Sequence, residues 1–183
     1  MFNPYSQSWQ GQSIYGALPY TSPDALPTFF SFRFTSFNPT VLNCTVIGPK
    51  SRPYFRITTD TPMPGVSVFQ NSNGQNIALV QWHRHPEVEL HSIVERQRVS
   101  GMLSLSPDQT HRRMTVNGAT FTFTPQDNFI WIYSTASQPE LLGRISRDQT
   151  TVTLELTGEA IHLGLLEPAL VATFLLQCGR NID

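Results

Sequence analysis

From Phe29 onward, apolar and polar residues alternate in short runs separated by turn-forming residues, the pattern of a chain built from strands. Phe30, Phe32 and Phe34 alternate with Ser31, Arg33 and Thr35, which predicts a half-buried strand with its phenylalanines on one face. Asn38-Pro39 predicts a turn, and residues 41–47 a second strand ended by Gly48-Pro49. Residues 54–58 and 66–69 read as two more, separated by Pro62 and Pro64. The run Asn71-Ser72-Asn73-Gly74 is a strong turn signal. It leads into residues 77–83, which are apolar on both faces and therefore expected to be central in a sheet. Asn117-Gly118, between residues 114–116 and 119–124, is the clearest hairpin, because both central positions of such a turn favour positive φ. Residues 129–133, 141–145 and 151–156 follow at regular spacing, and in the last of these Val152, Leu154 and Leu156 face one way.

The final segment breaks the rhythm. Pro168 stands where a first helical turn tolerates it and Gly179 where a helix stops. Between them, residues 169–176 are polar only at Thr173, so a helix here has no hydrophilic face and must be buried all round. One more core strand is the competing reading, and Pro168, Gly179 and two alanines favour helix. Many strands and one buried helix predict a mostly β fold: a closed antiparallel barrel of about ten to twelve strands around a C-terminal helix at about 167–178. Domain organisation follows as residues 29–183 for the barrel and residues 1–28 for a flexible arm. The arm holds Pro4, Pro19, Pro23 and Pro27 among spaced aromatics, with only Asp24 charged.

Composition narrows the function classes. Charged residues are 14% of the 183, well below the roughly 25% usual in globular domains, and the net charge is −1. Bulk attraction to nucleic acid is therefore not expected, and an acidic membrane would have to be met by a local patch. Lys50 is the sole lysine, against eleven arginines. Cys44 and Cys178 cannot form a metal cluster by themselves and read as reduced, buried thiols. The N-terminus lacks a basic start and an apolar run, and no stretch approaches the ~20 residues that span a bilayer, so a cytoplasmic protein is expected.

Two clusters could carry chemistry. On one continuous strand His83, His85, Glu87, Glu89 and His91 would share a face, and His83, His85 and Glu89 resemble the first metal motif of cupins. Pro86 interrupts that strand, no later Pro-x-Gly-x-x-His segment supplies a further ligand, and His162 lacks that context. A solvated polar face is the plainer reading. The second cluster is Arg96, Arg98, Arg112 and Arg113, an anionic-headgroup patch if the strands adjoin, with Glu95 and Asp108 placed to neutralise it. No nucleophile elbow or glycine-rich phosphate loop occurs, and nothing requires a cofactor.

The order of many strands and a closing apolar helix resembles the tubby C-terminal-like fold of tubby proteins, phospholipid scramblases and LURP-one-related proteins. Within that group the chain is most similar to a large fungal family of small, functionally uncharacterised proteins. The resemblance rests on Ile77-Ala78-Leu79-Val80-Gln81-Trp82-His83, Phe121-Thr122-Phe123, Phe129-Ile130-Trp131, Leu141-Leu142-Gly143-Arg144-Ile145 and residues 170–176, and spans about residues 30–180. It implies a non-enzymatic module that binds an anionic phospholipid headgroup or a protein partner. No headgroup motif of tubby proteins can be matched here residue by residue. The alternatives are a metal-dependent cupin-like enzyme using His83, His85 and Glu89, and a structural protein that self-assembles through its arm.

Overall fold

The computed structural model describes residues 27–60 and 65–183, so the arm expected at 1–28 lies, save its last two residues, outside the described residues. The N-terminal half forms β1 (Phe29–Thr35), β2 (Cys44–Ile47), β3 (Pro53–Thr59), β4 (Val66–Asn71), β5 (Asn76–Gln81), β6 (Glu87–Leu90) and β7 (Val94–Arg98). A short helix α1 (Val99–Met102) leads into β8 (Leu103–Leu105), β9 (Arg112–Val116), β10 (Ala119–Gln126), β11 (Phe129–Ser134), β12 (Leu141–Arg147) and β13 (Val152–Thr157). Helices α2 (Gly158–His162) and α3 (Leu166–Gln177) complete the chain.

All thirteen strands belong to one antiparallel sheet in the order β7-β6-β5-β4-β3-β2-β1-β13-β12-β11-β10-β9-β8. Two meanders are thus joined at their outer members, β1 pairing with β13 from Phe29↔Thr157 to Phe34↔Val152. The Asn117-Gly118 hairpin forms as its sequence predicts, with φ of 51° and 77°.

The closed barrel is corrected. β7 and β8 are the two ends of the sheet and do not pair. With every neighbour antiparallel and an odd strand number, the two end strands run in the same sense. Closure would require a parallel pair, which needs a crossover of a dozen or so residues, and only the four residues of α1 separate them. α1 fills the seam instead: Val99 and Met102 are buried, and the helix touches β6, β7, β8 and β9. The strand count also exceeds the ten to twelve expected, because β7 and β8 have no alternating apolar pattern by which to find them.

The expected C-terminal helix is present as α3, and every residue from Pro168 to Leu175 is buried. Gly179 ends it at φ 72°, a left-handed position that a Cβ would strain. Thr173, its one polar residue along the buried stretch, donates its hydroxyl to the Ala169 carbonyl at 2.7 Å, which satisfies it within the helix. Phe174 meets Phe69 of β4 edge-on at 4.9 Å between ring centres, and Trp82 at 6.1 Å. A buried polar relay lies beside it. Trp82 Nε1 donates to Ser67 Oγ at 2.8 Å, Ser67 and Thr59 hydroxyls are 2.7 Å apart, and Thr59 Oγ1 donates to the Leu42 carbonyl at 2.6 Å. Since Thr59 has a single hydroxyl proton, Ser67 must be the donor to Thr59, and each member of the relay is satisfied.

Cys44 and Cys178 are both buried with free thiols, and burial pushes Cys44 up to about 12, away from thiolate chemistry. Among the described residues, no helix is long and apolar enough to cross a membrane.

Candidate ligand-binding site

A cavity of about 480 Å³ opens at the end of the sheet where the β2–β3 turn meets α2 and the start of α3. Phe30 and Phe32 of β1, Tyr54 of β3, Ile161 of α2 and Leu166 of α3 supply its apolar wall. Lys50 and Arg52, in the turn between β2 and β3, stand at its rim, and both are exposed. Among the described residues, no carboxylate, histidine or cysteine lines it.

Local sequence explains the turn. Pro49 sets the entry, and the Gly48 N–H donates to the Arg52 carbonyl at 2.8 Å to close the loop. Lys50 and Ser51 then adopt φ of 60° and 55°, a left-handed pair normally given to Asn-Gly. Holding two such non-glycine residues costs of order 1 kcal/mol each. Gly48 is required for a different reason: a Cβ there would overlap the Tyr54 ring. That ring lies flat along the glycine, and its edge-on contact with Phe32 at 5.5 Å sets the back wall. Phe30, read from its alternation as a buried partner of Phe32 and Phe34, is instead 41% exposed at the mouth, because β1 has reached the end of the sheet there.

Acidic groups lie near but outside the lining. Glu159 is exposed on α2, and Glu167 on α3 is half-buried, where desolvation raises its pKa.

The two clusters read from sequence fare differently. β5 ends at Gln81 and β6 begins at Glu87, so His83 and His85 sit in an exposed bend and share no strand with Glu89. Glu89 faces Arg96 at 3.3 Å and His91 at 3.9 Å. Among the described residues no three His, Cys, Asp or Glu side chains come together as a metal would need.

The four arginines differ in their partners. Arg96 and Arg98 lie on β7 and Arg112 and Arg113 on β9, strands on either side of the seam that α1 fills. Arg112 is engaged in a two-pronged pair with Asp183 at 2.9 and 2.6 Å, and Arg113 Nε donates to His111 Nε2 at 3.1 Å. Arg98 and Arg113 have no ion-pair partner among the described residues. The residues that do converge, Lys50 and Arg52, were legible only as a lone lysine and a Gly-Pro strand terminator.

Asp108 organises the loop before Arg112. It accepts from Ser106 Oγ at 2.6 Å and from the Thr110 N–H at 3.2 Å, and these bonds lower it to about 2. A carboxylate depressed by folding contributes stability that is complete above its unfolded value near 3.8 and is lost as pH falls through about 2. Asp108→Asn is therefore expected to melt below the wild type at pH 5, with the gap closing toward pH 2. A gap independent of pH in thermal melts would show that the charge is not what holds the loop.

One more charged residue is placed with care. Arg144 Nε donates to Glu155 Oε2 at 2.6 Å while its guanidinium lies 4.7–5.6 Å from the ring centres of Phe29, Phe129 and Trp131. Trp131, Arg144, Glu155 and Ser31 stand directly opposite one another across β11, β12, β13 and β1. This row ties the two meanders together on their outer face, where cation–π and charge-assisted contacts reinforce register.

No protein-family model matches the chain, and no curated protein does. Among solved structures, the X-ray structure of a protein from Arabidopsis thaliana is similar over 76% of this chain and 88% of that one, at 10% identity and a TM-score of 0.39.

Proposed function

We propose that the protein is a non-enzymatic binding module for anionic lipid, engaged at the Lys50–Arg52 end of the sheet. The observation that carries this reading is an apolar cavity rimmed by two cations that, among the described residues, have no ion-pair partner and share the lining with no carboxylate. Apolar walls receive the hydrophobic part of an amphiphile, and an ammonium beside a guanidinium receives its charge. The same proposal holds the sheet to be curled around α3 in the tubby C-terminal-like manner. Supporting it are the burial of α3 on every side and its ties to both meanders, to Phe69 on one and Arg147 on the other. We assign the headgroup role drawn from sequence for Arg96, Arg98, Arg112 and Arg113 to Lys50 and Arg52 instead, because these two adjoin the apolar cavity, whereas Arg96 and Arg112 have carboxylate partners.

Flotation with vesicles of phosphatidylcholine alone, or with phosphatidylserine added, tests this at low salt, where screening is weakest. The protein is expected to float with the anionic vesicles. Each cation near such a surface is worth about 1 kcal/mol, so the double variant Lys50→Ala/Arg52→Ala should lose roughly thirtyfold in partitioning. Arg96→Ala/Arg98→Ala should change little. Equal flotation with neutral vesicles, or indifference to the Lys50/Arg52 change, would refute the site.

A further inference from the structure

We propose that the cavity takes in a single acyl chain, so that the protein holds a long-chain fatty-acid anion, carboxylate at the rim and tail inside. This deepens the lipid reading and rests on it: the same two cations serve both, but the occupant of the interior is now named.

A module that reads only headgroups needs a charged surface and no depth. Here the charged rim adjoins a half-open apolar cleft. The cavity volume falls within the ~300–1,000 Å³ of small-molecule sites. Its back wall, Phe32 and Tyr54, is fixed by the close approach of Gly48 to the Tyr54 ring and by the edge-on contact of the two aromatics. Its other wall comes from Ile161 and Leu166, carried more than a hundred residues later by α2 and α3. Among the described residues, no polar side chain other than the rim cations and the Tyr54 hydroxyl lines the cavity, so a neutral headgroup finds few partners there. The charge at the rim selects an anion. The cavity is bounded by one turn, the start of β1 and one helix pair, which suits one chain rather than two. Glu159 and Glu167 on the helices outside the lining disfavour a carboxylate seated anywhere but at the Lys50–Arg52 side.

Gly158 supplies a selective test. It belongs to the cavity wall, and a Cβ added there meets only Phe30 Cε2, at 3.7 Å, an ordinary contact. Gly158→Leu should therefore fill the cavity while leaving the fold and the rim cations in place. Titration calorimetry of the full chain with dodecanoate, and with dodecanol as its uncharged counterpart, reads the outcome. Wild type is expected to bind one dodecanoate and to prefer it over dodecanol by at least about tenfold, the worth of a charged hydrogen bond. Gly158→Leu should abolish dodecanoate uptake while leaving the melting temperature at the wild-type value. Should Gly158→Leu lower the melting temperature, Ile161→Phe blocks the same space from α2 and takes its place. Dodecanoate binding that survives both substitutions, or equal affinity for dodecanol, overturns the proposal. Vesicle binding without dodecanoate uptake sinks this inference alone. Dodecanoate uptake without vesicle flotation sinks the membrane reading and leaves the cavity assignment standing.

Discussion

Phe174→Ala is expected to destabilise the protein by about 3–5 kcal/mol, a large part of the 5–15 kcal/mol that holds a typical domain together. The ring is fully buried at the centre of the α3 face, touching Phe69 of β4 and Trp82 beyond β5. Truncation removes the transfer energy of the ring. It also leaves a cavity that the sheet on one side and the helix on the other cannot both close. At the ~2–4 °C per kcal/mol usual for chains of this size, the melting temperature should fall by about 10 °C or more. Phe174→Leu, which keeps most of the volume, should cost clearly less. A loss below about 1 kcal/mol in urea unfolding would mean that α3 is not packed as described. Because α3 also carries Leu166 into the cavity wall, Phe174→Ala should loosen dodecanoate binding without altering any residue that lines the cavity.

Gly143→Ala, a change of one methyl group, is the second large effect expected, at roughly 2–3 kcal/mol or more. Gly143 lies on β12 between Ile132 of β11 and Leu156 of β13. A Cβ there would overlap the Glu155 carbonyl oxygen and come within 2.8 Å of Leu156 Cδ2. The obstacle is backbone of the next strand, which cannot rotate aside, so relief requires β12 and β13 to separate. That same strip holds the Arg144–Glu155 pair, hydrogen-bonded at 2.6 Å, and the register by which β13 meets β1. The variant should therefore unfold at lower denaturant and lose protection of the β12 and β13 amides in hydrogen exchange. Unchanged protection there would contradict the close approach of the two strands.

These two sites differ in how they could be found. The apolar run that contains Phe174 announces a buried helix by itself, since helical periodicity with no polar face has one outcome in water. Nothing around Gly143 distinguishes it from a strand glycine of no consequence until β13 is laid beside it. The candidate site shows the same division. His83, His85 and Glu89 looked like a set because their spacing was read along one strand. Pro86 leaves them on a bend and on a separate strand. Glu95 and Asp108 stand near these arginines in sequence, but Arg96 pairs with Glu89 across the β6–β7 hairpin and Arg112 with Asp183, seventy-one residues away.

Local physics was therefore enough for most of the elements, though not for β7, β8 and the short helices α1 and α2. Period-2 alternation, the Asn117-Gly118 turn and the Gly179 helix stop each depend on residues a few positions apart, and each is seen in the fold, although the helix begins at Leu166 rather than at Pro168. What only the tertiary structure decided is how those elements meet. It paired β1 with β13, left β7 and β8 unpaired across α1, and brought Lys50 and Arg52 against Ile161 and Leu166. Such pairings join residues more than a hundred positions apart, and their energy comes from burial and register summed over a whole sheet. No single segment carries that information, which is why the strands could be read before folding and the cavity between them could not.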